Sequence, residues 1–235
     1  RDARAALRDF AVFEEEMSSA YKGKPLKDFS LTTDAVVLDI PMHPVVKASL
    51  MNGDLKGALA GLQTTSPNIA IQKLAGTLLN NVGTTKLQIV DKLGRGRAGT
   101  FSPTTNTIKL DSVEGTNVHT LLHEMTHATV SAEIENNSQS SPVTSLKKIF
   151  NQAVDRLDTV YGTQNIDEFM SEAMSNPQFQ EKLSKIITKD SSLTLLQRFR
   201  RAIGNILRRI TGRPLVSLNS DALTEVNSIF EQLVA

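Results

Sequence analysis

Apolar positions recur every three or four residues along most of this chain and alternate in only one central stretch. Asp2 to Tyr21 reads as a helix, with Leu7, Phe10, Phe13 and Met17 on one face and charges between them. Gly23 and Pro25 end it. Residues 26–44 hold β-branched runs with Pro41 and Pro44, and read mostly as loop. Val45 to Leu62 is helical in pattern but broken at Asn52-Gly53, and a further helix covers Pro67 to Leu79. At Thr85 the period changes. Lys86 to Val90 alternates like a half-buried strand, a glycine-rich turn follows, and Thr100-Phe101 and Thr107 to Leu110 complete a small antiparallel meander. Beyond it the pattern is helical again. Thr116 or Asn117 caps a helix reaching Glu135, and Pro142 opens one reaching Tyr161. Shorter segments cover Ile166–Ser175 and Asn176–Lys189, and two more, Leu193–Ile210 and Asp221–Leu233, flank Gly212 and Pro214. The expected fold class is α+β, mostly helical, with residues 1–80 as a helical N-terminal segment and 81–235 as the main domain.

Composition narrows the function. At 235 residues, 40% hydrophobic and 22% charged, the chain has ordinary globular composition. No apolar run reaches membrane-spanning length and the opening residues do not read as a secretory h-region, which leaves localisation open. The chain opens on Arg1, which suggests a piece processed or excised from something longer. It has no Cys, so thiolate metal sites and a Cys nucleophile are excluded. A net charge of +1 gives no global attraction to nucleic acid or lipid.

Two motifs compete for attention. Gly94-x-Gly96-x-x-Gly99 matches a dinucleotide fingerprint in letters alone, because strand and turn residues follow it where the motif needs a helix. It reads as a flexible hairpin loop. His123-Glu124-Met125-Thr126-His127 lies inside an apolar helical pattern. Residues four apart share one helical face, so both imidazoles can reach one Zn²⁺, with Glu124 beside the first as general base toward water. His119 extends the row, but lies about 12 Å along the axis from His127 and cannot share its ion. It is expected to support structure or hydrogen-bond a ligand, with contact to substrate as the alternative. Val130 and Glu133 stand where a metzincin needs glycine and histidine, and no His follows. The third ligand is therefore a carboxylate from a later helix. Glu168 and Glu172 are four apart on one face. One can coordinate while the other accepts the outer N–H of a ligating His, and the spacing does not choose between them.

His123-Glu124-x-x-His127 followed by Glu168 resembles the gluzincin metallopeptidases. The run Tyr161-Gly162-x-x-Asn165-x-x-Glu168-Phe169-x-x-Glu172-Ala173 is similar to the active-site helix of anthrax lethal factor catalytic domains, and comparable cores occur in bacteriophage polyvalent proteins. The resemblance spans about residues 85–190. It implies a zincin-like fold and a zinc-dependent endopeptidase acting on a protein or peptide, its own parent polypeptide among the candidates. It also implies Glu168 as third zinc ligand, Glu172 as the carboxylate behind a ligand, and Tyr161 as phenol donor to the oxyanion. A virion-associated or host-delivered protein would fit the same company. Thr107 to Leu110 is then expected to be the edge strand on which an extended substrate lies.

Leu193 to Arg213 holds six Arg and no acid around an apolar stripe of Leu196, Phe199, Ile203, Ile206 and Ile210. A packed helix with solvated Arg is one expectation, and weak membrane contact is another. The rival function is a non-catalytic module with a structural zinc site, whose Arg-rich helix binds membrane or nucleic acid.

Overall fold

The computed structural model describes residues 28–37, 40–188 and 192–211. The helices expected over Asp2–Tyr21 and Asp221–Leu233, and Gly212, Arg213 and Pro214, lie outside the described residues. Eight helices and four strands are described: β1 (Phe29–Thr32), α1 (Pro44–Met51), α2 (Leu55–Thr65), α3 (Ile69–Leu79), β2 (Lys86–Val90), β3 (Arg97–Ser102), β4 (Thr107–Asp111), α4 (Val118–Asn136), α5 (Ser141–Val154), α6 (Ile166–Ser175), α7 (Pro177–Ser184) and α8 (Leu195–Thr211). The class is α+β, with most of the described residues in helices. No helix among the described residues is long and apolar enough to cross a membrane.

The sheet departs from the expected meander. Its order is β1-β3-β4-β2, with β1 and β4 antiparallel to β3 but β2 parallel to β4. The chain between β2 and β3 crosses the end of β4 through a turn with positive φ at Gly94, Arg95 and Gly96. Asp111, at the end of β4, accepts the Leu93 N–H at 3.0 Å and so ties that crossing down. Thr107 to Leu110 is thus a central strand and not the expected edge. Thr107, Ile108, Leu110 and Asp111 are all buried in it. The edge strands are β1 and β2, and β1, from a stretch that reads as loop, covers the side of β3 that β4 leaves open.

Two apolar clusters meet along α4. The first unites α1–α3, the sheet and the N-terminal half of α4 through Leu50, Leu59, Leu78, Ile108, Leu121, Leu122 and Met125. The second unites Val130 and Ile134 of α4 with α5–α8, around Phe169. Three aromatic edges from Phe150, Phe179 and Phe199 meet the Phe169 ring at 5.6–5.8 Å. Because α4 is enclosed on all sides, 14 of its residues are buried, including its three histidines. The stripe of α8 faces the second cluster, with Phe199, Ile203 and Ile206 buried. Arg209 of α8 pairs with Glu133 of α4 at 2.8 Å, and Arg198 donates to Gln152 of α5 at 3.0 Å.

Two boundaries differ from expectation. The helix opened by Pro142 ends at Val154, short of Tyr161, because Asp155 caps it and Asp158, Thr159 and Val160 resist continuation. Tyr161–Thr163 is instead a separate 3-10 turn. The helix begun at Pro177 ends at Ser184 rather than near Lys189.

Candidate metal centre

The site is assembled from α4 and α6, each started by an asparagine. Asn117 accepts the Thr120 N–H at 2.8 Å. Asn165 accepts the N–H groups of Asp167 and Glu168, both at 3.0 Å. These caps fix where each helix begins, and so which side chains face one another. His119, His123 and His127 line one face of α4. Glu168 and Glu172 line the facing side of α6, while Phe169, Met170 and Ala173 enter the second cluster.

Three donor atoms converge. His123 Nε2 lies 3.0 Å from Glu168 Oε2 and 3.1 Å from His127 Nε2, and the third side is 3.6 Å. Their protons follow from their other partners. His123 Nδ1 is 3.0 Å from Glu172 Oε1, and His127 Nδ1 is 3.4 Å from Ser131 Oγ. With Nδ1 as the N–H on each ring, both Nε2 atoms turn lone pairs toward a carboxylate oxygen. Three lone-pair donors crowded together in a dry interior call for a cation. The group His123, His127 and Glu168 can hold a metal ion, and all three are buried.

His119, His123 and Glu172 also bring three donor atoms close enough together to hold an ion. Their protons argue differently. His119 Nδ1 accepts the Val37 N–H at 3.1 Å, so its Nε2 carries the hydrogen and faces Glu172 Oε1 at 3.2 Å. An N–H cannot ligate. His119 is therefore support for Glu172, in line with one of its sequence expectations. Among the described residues these two imidazole nitrogens and Glu172 Oε1 have no other hydrogen-bond partner, so they serve one another. Glu172 Oε2 accepts from Asn176 Nδ2 at 2.6 Å, which anchors the carboxylate from its far side.

Electrostatics agree with a cation-binding pocket. Burial pushes Glu168 and Glu172 up, but the facing histidines outweigh it and hold both carboxyls well below their usual range. Burial likewise pushes His123 down, and Glu168 and Glu172 outweigh it and raise the imidazole. Among the described residues, both carboxylates form ion pairs only with histidine, never with Lys or Arg. Glu124 is different. Burial raises its carboxyl to about 7, its Oε1 accepts the Leu31 N–H at 3.0 Å, and its Oε2 is buried without a partner among the described residues. Tyr161 donates its phenol O–H to the Ser30 carbonyl, and burial, with Glu168 next, pushes its own ionisation far upward.

The structure brings Glu124, Tyr161, His123, His127, Glu168 and Glu172 into one locality. Spacing points to His123, Glu124, His127 and the pair Glu168 and Glu172, whereas Tyr161 comes only from the resemblance. Strand β1 is absent from the sequence reading. Its Phe29 ring stacks on His127 at 4.4 Å, Ser30 meets Tyr161, and Leu31 meets Glu124. Alternation over four residues is too short a signal to have revealed it. Gly94 and Gly96 do form the turn expected of them, whereas Gly99 lies within β3 against α4. No family model, curated protein or solved structure matches the chain.

Proposed function

We propose that the chain is a zinc-dependent endopeptidase of gluzincin type, on a zincin-like fold, with His123, His127 and Glu168 as its metal ligands. The observation that carries this reading is the convergence of those three atoms beside a buried carboxylate, Glu124, with one free oxygen. Zinc bonded at about 2.0–2.2 Å in a tetrahedron keeps its ligand atoms roughly 3.3–3.5 Å apart. The separations of 3.0, 3.1 and 3.6 Å bracket that value. Three protein ligands leave a fourth position open, as a hydrolytic site requires. Zinc, when bound, supplies Lewis-acid polarisation of a carbonyl and a more acidic water.

The chain's own groups supply the rest. Glu124, with a carboxyl near neutrality, accepts a proton from water and returns it to the departing amine. Tyr161 stays protonated at every physiological pH and donates to the carbonyl oxygen as charge develops there. Glu172, held by Asn176 and His119, fixes the tautomer of His123 and leaves Nε2 as the ligating atom.

The test loads purified protein with one equivalent of zinc and digests a peptide library. Wild type is expected to hydrolyse peptides, while Glu124→Gln binds zinc equally and loses at least roughly 100-fold in rate. Equal inertness of both proteins with zinc bound would contradict the proposal.

A further inference from the structure

A trans peptide points its C=O and its N–H to opposite edges. The peptide joining Ser30 to Leu31 is gripped on both. Tyr161 donates to the Ser30 carbonyl on one edge, and Glu124 accepts the Leu31 N–H on the other. These are the two groups that the proposed reaction aims at a scissile carbonyl and at its leaving nitrogen. The strand carrying this peptide lies antiparallel to β3, with Leu31 opposite Gly99, in the way an added peptide extends a sheet edge. Its register shifts between Leu31 and Thr32, beside the point where Glu124 takes the Leu31 amide. Phe29 stacks on the proposed ligand His127, and Leu31 is wholly buried.

From this geometry we infer that β1 occupies the substrate's place and that Ser30–Leu31 is a bond the protein hydrolyses in itself. The inference rests on the peptidase reading and names its substrate class. That class is an extended segment with an aromatic residue two positions before the cut and a large aliphatic residue just after it. In the step, water oxygen bonds to the Ser30 carbonyl carbon and the C–N bond to Leu31 breaks. Glu124 passes one water proton to the Leu31 nitrogen, the second leaves the new carboxyl group for the same amine, and the products are a carboxylate at Ser30 and an ammonium terminus at Leu31. The cut separates residues 1–30 from the remainder and frees the part of β3 opposite Phe29 and Ser30 for another peptide. Until then the protein is its own occupant, and added substrates must compete with a tethered strand at an effective concentration on the order of millimolar.

The experiment starts from full-length protein stripped with chelator. Zinc is then added, and intact mass and N-terminal sequencing follow the chain while a peptide library reports hydrolysis of added peptides. The expected result is a species beginning at Leu31, formed with a first-order rate constant unchanged by roughly tenfold dilution, and library hydrolysis that accelerates as it forms. Glu124→Gln should stay intact. Independently of activity, the Leu31 amide in metal-free Glu124→Gln protein should exchange with solvent at least roughly 100-fold slower than an unprotected amide. Library hydrolysis at full rate with Ser30–Leu31 uncut would overturn the self-substrate inference and leave the peptidase intact. Free exchange at Leu31 would overturn the occupancy directly. A zinc-loaded protein that cuts neither library nor itself removes the peptidase reading and this inference together.

Discussion

Gly99 shows how much of the site depends on a missing side chain. A Cβ there would sit 2.6 Å from Thr120 Cγ2 and 2.8 Å from both Cγ and Oε1 of Glu124. Glycine therefore lets β3 approach α4 closely enough for Glu124 to reach the Leu31 amide. Gly162 does the same for the turn carrying Tyr161, where a Cβ would meet the Phe179 ring at 2.7 Å. Gly99→Ala should destabilise the fold by about 1–3 kcal/mol, as overpacking of a dense interior does. It should also lower the proposed peptidase activity by more than the lost folded fraction explains, because the Glu124 carboxyl must move. Thermal unfolding alongside the rate per folded molecule checks both parts, and unchanged activity would detach Gly99 from the site. None of this is visible in the letters. Gly99 reads as the last glycine of a loop motif, and its use appears only when a helix 21 residues later packs against it.

At the scale of elements, the helices were the legible part. Their apolar spacing and caps locate α1 to α4 and α6, and the break at Asn52-Gly53 is real, with Gly53 at φ 68°. Strand pairing was less legible, because a period of two identifies a strand without naming its neighbour. Asp111 supplies the missing instruction. Its carboxylate accepts N–H groups from Leu93, Val113 and Glu114, each at 3.0 Å, and so ties the crossing after β2 to the turn before α4. Partial burial pushes this carboxyl up, but the three backbone donors outweigh it and lower it below the usual range. A depressed folded-state value stabilises fully above the unfolded carboxylate value of about 4 and ceases to as pH falls through the folded value. Asp111→Asn should therefore cost roughly 1–2 kcal/mol at neutral pH, at the modest end for a charged acceptor, because the carboxylate sits at the end of β4 rather than deep in the core. The gap from wild type should narrow as the pH falls below the unfolded carboxylate value of about 4 and through the lower folded value. Melting temperatures of both proteins across that range test this, and a pH-independent gap would contradict it.

Across the whole molecule, the candidate metal site lies where two apolar clusters meet, on a helix shared by both. His123, Glu124 and His127 were readable because one helix sets their spacing. Glu168 and Glu172 were readable only as a pair. Their division of labour depends on which oxygen faces which imidazole, and that is fixed by Asn165, Asn176 and His119, contacts that no sequence spacing carries. The contribution of β1 was not readable, because its partners lie about 70 to 130 residues away along the chain. The central claim is that one metal ion sits among His123, His127 and Glu168 and leaves the group around His119 to hydrogen bonding. Anomalous diffraction at the zinc edge from crystals grown with zinc tests it most directly. The account predicts a single peak bonded to His123 Nε2, His127 Nε2 and Glu168. A peak between His119, His123 Nδ1 and Glu172, or no peak in the interior, would contradict it.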